Sequence, residues 1–306
     1  MPTAIVQTLP AAEFDAADLL RTLLISSTVS AHTARAYAKA LDDFLALVDL
    51  RSRPISRAMF LEYRSRLIHA GLSASTINVR LSAIRKAVRE ARDQGLVDPA
   101  RATRITSVPG VPHQGVRLGV WLTQEEARRL LAVPDRARTI GKRNYAILST
   151  LLHCGLRRTE LATLTFSRIQ TREGRWVLAD LVGKHGRVRT VPLPSPAKRA
   201  MDEWTSAAEI HSGSVFRRML KSGHVQDQPL SAWAVWDVVV RSAAAAGIDR
   251  LGPHDLRRSC AKLCRKAGGK LEQIQFLLGH AELATTARYL GTTQEIRTAV
   301  NDRIHI

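Results

Sequence analysis

The sequence predicts a mainly α-helical protein of two domains, with a small β-sheet in the C-terminal one. Three observations carry this expectation. The chain has 306 residues, enough for two domains of roughly 150 residues each. Apolar residues recur at helical spacing on both sides of residue 110. Between 168 and 192, RIQTREGRWVLADLVGKHGRVRTVP is rich in Val and Leu with glycine-containing turns, the pattern of two or three short strands. Composition is ordinarily globular, with 45% apolar and 24% charged residues. No apolar run approaches the ~20 residues that span a bilayer. The opening MPTAIVQTLPAAEF lacks a basic region followed by a long apolar stretch, so no signal peptide is expected. A cytoplasmic protein with no membrane role is the expectation.

Residues 13–106 read as a helical domain. From Ser30 to Val48, Tyr37, Leu41, Phe44 and Val48 lie on one helix face, with Ser30 as N-cap. A second helix covers Ser56–Ala70 and ends at Gly71. A third, Ser75–Gln94, carries Ile77, Leu81, Ile84 and Val88 on its apolar stripe. Beside that stripe lie Asn78, Arg85, Arg89 and Arg92, which either track a DNA backbone or form a solvated face. Periodicity fails over 107–119, SVPGVPHQGVRLG, which reads as a linker. Thr123 to Glu126 then form a capping box that opens the second domain, 120–306. There, helices are expected at 142–154, from 158, and at 195–208, 231–246, 254–267 and 271–278.

Charge narrows the function. Lys and Arg number 46 against 27 Asp and Glu, a net of +19. Residues 1–110 carry +5 of this and 111–306 carry +14. So large an excess points to a polyanion, most often nucleic acid. The three cysteines are too few and too scattered for a disulfide framework. Cys260 and Cys264, with His254 nearby, raise the question of zinc. No second ligand pair at zinc spacing follows, so two small side chains on a buried helix face is the preferred reading.

Five blocks then hold residues suited to phosphate chemistry. In GLRRTEL, Arg157 follows a helix-ending glycine, and Glu160 stands three positions on, able to orient a guanidinium. In GKHGR, Lys184 falls between two predicted strands, at a hairpin tip. In GPHDLRR, His254 and Arg257 share a helix face at a helix start. They form either a phosphate site or two solvated polar residues. LLGH brings His280, and Tyr289 follows nine residues later in TTARY.

In this order and spacing the blocks resemble the tyrosine recombinases, also called phage-type integrases, and most closely their short Xer-like members. The run Thr33-Ala34-Arg35-Ala36-Tyr37 is similar to the opening of the family's helical core-binding domain, so the resemblance covers nearly the whole chain. It implies a two-domain DNA clamp, a helical SAM-like core-binding domain joined to a mixed α/β catalytic domain. It implies Tyr289 as nucleophile, Arg157 and Arg257 as the clamp on the scissile phosphate, and Lys184 as general acid. His254 and His280 would complete the pocket, with Glu160 supporting Arg157. Arg258 departs from the pattern, since many members have histidine there. The chain also lacks room for the arm-binding domain of the large phage integrases.

The residue types suit the chemistry. Paired guanidinium donors match phosphate oxygens and stabilise the charge of a pentavalent transition state. With two of them, no metal ion or other cofactor is expected. A tyrosine hydroxyl titrates near ~10, so it needs a base, for which His254 is the candidate. The expected activity is site-specific recombination of double-stranded DNA through a covalent 3′-phosphotyrosine, at the nucleoid. The alternatives are a type IB topoisomerase-like enzyme and a catalytically idle DNA-binding protein of the same fold. After Tyr289, Thr293 can cap a short helix bearing Ile296, Val300 and Ile304 on one face. It docks either on its own domain or, as the resemblance implies, on a neighbouring protomer. The expected assembly is a monomer in solution and a homo-tetramer on synapsed DNA.

Overall fold

The computed structural model describes residues 16–47, 55–112, 120–183, 186–280 and 282–290. They divide into two compact units, 1–117 and 118–306. Each is built around its own apolar core.

The first unit is helical: α1 (Ala16–Ser26), α2 (Ala31–Leu45), α3 (Arg57–His69), α4 (Ala74–Asp93) and α5 (Pro99–Thr106). Ser30, Ser56, Ser73 and Asp98 cap four of these through their side-chain oxygens, which satisfy otherwise orphaned N–H groups. The α4 cap is thus two residues earlier than its apolar stripe indicates, because a capping serine stands outside the stripe it introduces. Helix α4 lies at the centre and packs against the other four. Its buried face carries Ile77, Leu81, Ile84 and Val88, as the periodicity requires. The ring of Phe44 meets Phe60 and Tyr63 edge-on, with centroids 6.2 and 5.3 Å away. Tyr63 buries its hydroxyl by donating to the Ala40 carbonyl at 3.2 Å. Tyr37 is half-buried against the same core, and Val48 lies outside the described residues.

Residues 108–111, which have no period in the sequence, are strapped to this unit by side chains. Val108 is buried. Arg85 donates to the Val108 carbonyl at 2.6 Å and Arg64 to the Pro109 carbonyl at 3.0 Å. Asn78 pairs with both backbone groups of Val111, donating at 2.9 Å and accepting at 2.8 Å.

The second unit begins with α6 (Gln124–Ala132), closed by the reciprocal Thr123–Glu126 capping box. Then come α7 (Thr139–Cys154) and α8 (Arg158–Ala162). An antiparallel sheet follows, in the order β1 (Ile169–Arg172), β2 (Arg175–Val182), β3 (Val188–Pro192). After α9 (Ser195–Ala207), a hairpin forms from β4 (Arg217–Met219) and β5 (Val225–Pro229). Its strands, RRM and VQDQP, are mostly polar and lack alternation, so the sequence does not announce them. Helices α10 (Ala232–Ala245), α11 (Pro253–Lys266), α12 (Leu271–Leu278) and α13 (Leu283–Leu290) complete the described part. The most deeply buried helix is α7, which packs against α9 and α11. Trp204 of α9 is fully buried and donates its indole N–H to the Val215 carbonyl at 2.9 Å. Among the described residues, no helix is long and apolar enough to cross a membrane.

Phe60 is fully buried with its ring against Phe44. Phe60→Ala should therefore lower stability by about 3–5 kcal/mol, the usual cost of an aromatic-sized cavity. The shift of the denaturant midpoint measures this, and a shift under a third of that size would show that the core collapses to fill the space.

Candidate active site

Four chain segments converge in the second unit, and one side chain joins three of them. Arg257, at the start of the second turn of α11, is only 1% exposed. It donates through Nη1 to the Gly155 carbonyl at 2.6 Å and through Nη2 to the Leu278 carbonyl. Gly155 caps α7 and Leu278 ends α12. Each helix stops because a glycine follows in the left-handed region, Gly155 at φ 58° and Gly279 at φ 63°. Space demands glycine as well. A Cβ on Gly155 would stand 3.2 Å from Leu278 Cδ2 and 3.3 Å from Cys260 Sγ.

Arg157 follows Gly155 by two residues and stands at the N-cap of α8. Glu160 holds it twice. One carboxylate oxygen accepts from Arg157 Nη1 at 2.7 Å, and the other accepts its backbone N–H at 2.8 Å. Arg189 of β3 bonds the same carboxylate at both oxygens, each at 2.8 Å. Burial alone would raise the Glu160 pKa, but the Arg189 and Arg157 bonds and charges outweigh it and bring it down to about 2.

His280 follows Gly279, and its Nδ1 lies 3.0 Å from the Thr286 hydroxyl of α13. Partial burial, then the charges of Arg257 and Arg157, lower its pKa to about 4. His254 stands one turn before Arg257, with much of its surface exposed. Desolvation of its ring, then Arg257 and Arg258, lowers its pKa below the ordinary value. Both imidazoles are therefore neutral at neutral pH. Helix α13 packs on α11 and α12 and includes Tyr289, three positions after Thr286. The side chain of Tyr289, the residue Lys184 and the segment after Leu290 lie outside the described residues.

The structure thus brings together Arg157, Glu160, His254, Arg257 and His280. The sequence reading missed Arg189. It is one arginine among Val188, Thr190 and Val191 in a short strand, with no local signal to single it out. On the first unit, Asn78 and Arg85 hold the 108–111 strap. Arg89 and Arg92 are exposed on α4, and Arg92 pairs with Asp93 at 2.7 Å. A cleft of about 500 Å³ runs along this face, lined by Tyr37, Arg85, Lys86, Arg89 and Arg92 among others.

Cys260 is buried and its thiol donates to the His153 carbonyl at 3.7 Å, and Cys264 is half-buried. Among the described residues, no group of three or more His, Cys, Asp or Glu is arranged to hold a metal ion.

A fold of this kind, with these blocks around a cationic pocket, defines a DNA strand-transfer class, and comparison with known proteins agrees. Residues 120–295 match the phage integrase family, and residues 16–95 match the phage integrase N-terminal SAM-like domain. The chain belongs to the phage integrase family, and the helical unit is its SAM-like domain. Among curated proteins it is 31% identical to a tyrosine recombinase XerC of Mycobacterium sp. (strain JLS), over 90% of this chain and 93% of that protein. It is 27% identical to a tyrosine recombinase XerC of Pelotomaculum thermopropionicum, over 92% of this chain and 95% of that one. Among solved structures, the XerH site-specific recombinase in a post-cleavage complex on palindromic difH substrate shares the fold. The TM-score is 0.67 at 21% identity, covering 92% of this chain and 82% of that one.

The depressed histidine pKa values make stability depend on pH. An unfolded histidine titrates near ~6.5, whereas folded His280 titrates at about 4. Between those values the unfolded chain binds more protons, so stability falls as pH drops through this window. Glu160 acts lower, its contribution being lost only as pH falls from the ordinary carboxylate range toward 2. His280→Asn should flatten the stability-against-pH slope between pH 4 and 6.5, measured by denaturation. An unchanged slope would mean that His280 is not the group responsible.

Proposed function

We propose that this chain is a site-specific DNA recombinase that breaks and rejoins strands through a covalent phosphotyrosine, with Tyr289 as nucleophile. The observation that carries the reading is the grouping of Arg157, Arg257, His254 and His280 in one electropositive pocket beside the helix that bears Tyr289. Its residues fall in the family's order, and its relatives are recombinases.

Arg157 and Arg257 bind the non-bridging oxygens of the scissile phosphate and stabilise the charge that grows on them. The Tyr289 oxygen attacks phosphorus, and the bond to the 5′ oxygen breaks. His254, neutral at working pH, accepts the tyrosine proton. Lys184 protonates the departing 5′ oxygen. The product is a 3′-phosphotyrosine and a free 5′ hydroxyl. A 5′ hydroxyl from the partner duplex reverses the step, so the bond energy is conserved and ATP is not required. His280 hydrogen-bonds the phosphate, and Glu160 holds Arg157 in place.

On the first unit, Arg89 and Arg92 carry contacts to the DNA backbone, while Asn78 and Arg85 shape that face by anchoring the strap. The enzyme works in the cytoplasm on nucleoid DNA.

Tyr289→Phe keeps the ring and removes the attacking oxygen. On a nicked duplex carrying the binding site, wild type should form a covalent protein–DNA adduct that survives denaturing electrophoresis. The variant should bind that duplex within about threefold of wild type and form none. An adduct from Tyr289→Phe would place the nucleophile elsewhere.

The tail supports a reading of assembly. Ile296, Val300 and Ile304 are spaced as one helix face, an apolar row suited to docking on a partner. A largely apolar cleft of about 670 Å³ lies between α6 and α11, lined by Leu131, Leu152, Pro194 and Leu263 among others. The tail of one protomer fills this cleft on its neighbour, which couples assembly to the helix bearing Tyr289. The protein is a monomer in solution and a tetramer on two synapsed sites. Deleting residues 295–306 should preserve binding to a single site and abolish cooperative occupancy and recombination. A truncated protein recombining at the wild-type rate would overturn the exchange.

A further inference from the structure

We propose that Arg189 is a positioning residue for strand cleavage, which joins β3, the Glu160 carboxylate and the 277–280 turn into one frame and so orients Arg157 and His280 together. The proposal rests on the phosphate-pocket reading above and adds to it a residue outside the five sequence blocks.

Three contacts define the frame. The guanidinium of Arg189 forks onto both oxygens of Glu160, at 2.8 Å each. Its Nε donates to the Leu277 carbonyl at 3.1 Å. Its Cδ lies so close to Gly279 that a Cβ there would stand 2.8 Å from it. The side chain is only 9% exposed, so these contacts are shielded from water. The same two Glu160 oxygens hold the side chain and the backbone N–H of Arg157. Glu160 therefore cannot rotate without breaking the Arg189 fork, and Arg157 cannot turn without Glu160. On the other side, the residue after Gly279 is His280. A shift of Arg189 is transmitted to one phosphate ligand through a carboxylate and to the other through a turn. Lysine cannot replace it, since one ammonium on a flexible stem lacks the planar fork.

The arrangement also has an electrostatic consequence. The charged and titratable groups facing His280 are Arg257 and His254 of α11, Arg157 before α8, and Arg189 of β3, with the Thr286 hydroxyl from α13. Together with partial burial they keep the imidazole neutral. Loss of the Arg189 charge removes part of that influence, so His280 takes up a proton at higher pH.

The test uses the full chain and a nicked duplex bearing a site first selected from random DNA by the wild-type protein. Single-turnover adduct formation is followed against pH for wild type, Arg189→Lys and Arg189→Gln. Both variants should bind the duplex within about threefold of wild type yet form the adduct about 10–100-fold more slowly, the scale of a misplaced catalytic group. In Arg189→Gln the His280 imidazole, followed by NMR, should titrate at higher pH than in wild type. In Arg189→Lys, which keeps the charge, it should titrate as in wild type. A merely structural residue would lower the rate in proportion to the folded fraction and leave the His280 titration in place in both variants. That result overturns the proposal, as does a wild-type rate in either folded variant. If Arg189→Gln does not fold, the rate of Arg189→Lys decides alone. Absence of any adduct with wild type overturns the pocket reading and this proposal with it. A normal wild-type adduct with normal variants overturns only the role of Arg189.

Discussion

The buried guanidinium of Arg257 is the interaction on which the site depends. A buried cation is costly unless oriented dipoles surround it. Here the C-terminal ends of two helices supply them, through the carbonyls of Gly155 and Leu278. The consequences reach three sequence blocks. Helix α7 must stop where the carbonyl is needed, and α12 must do the same. Both stops use a left-handed glycine, and both glycines lie where a Cβ would meet a close neighbour. Arg157 then starts two residues beyond one stop and His280 one residue beyond the other. The arginine thus sets the distance between the two segments that carry its proposed partners in phosphate binding.

Charge in the pocket follows from the same arrangement. Arg157 and Arg189 share a single carboxylate, Glu160, whose pKa falls to about 2, and Arg257 adds a further cation near the two histidines. Burial first, and then the surplus of neighbouring cations, keeps the two histidines neutral. Neutrality is useful to the proposed chemistry, since only a neutral imidazole can accept a proton from tyrosine. A phosphodiester entering the pocket supplies the missing negative charge. The repulsion among the cations becomes attraction in the proposed complex, and more strongly so as charge builds on the non-bridging oxygens.

Much of this was legible in the sequence. The apolar stripes of α2 and α4 placed the first core, the Thr123–Glu126 box placed the start of α6, and three of the blocks named Arg157, His254, Arg257 and His280, which lie near one another in the fold. They were legible because each rests on local rules of period, capping or spacing. What escaped depends on contacts between distant positions. The β4–β5 hairpin has no periodicity, and it forms beside a core residue, Trp204, that bonds the segment just before it. The 108–111 strap looks like a linker by composition. It is held by Asn78 and Arg85 from thirty-three and twenty-three positions away, side chains whose spacing on α4 equally fitted a DNA-facing row. A polar stripe on a helix states that the stripe is not core, and leaves open whether its partner is solvent, nucleic acid or the chain itself.

Arg189 shows the same limit within the site. Its neighbours in sequence are strand residues, and nothing local marks it apart from other arginines in this basic chain. Its role arises because Glu160, twenty-nine positions earlier, and Leu277, eighty-eight positions later, arrive at one point. A carboxylate with one arginine partner could swing. With a second arginine forked across both oxygens, its orientation is determined, and the backbone N–H of Arg157 becomes a third constraint. The donors that would meet the phosphate are thereby set before DNA arrives. Electrostatic stabilisation of a transition state needs that fixity, because dipoles and charges that must reorganise during the reaction return much of their benefit as reorganisation energy.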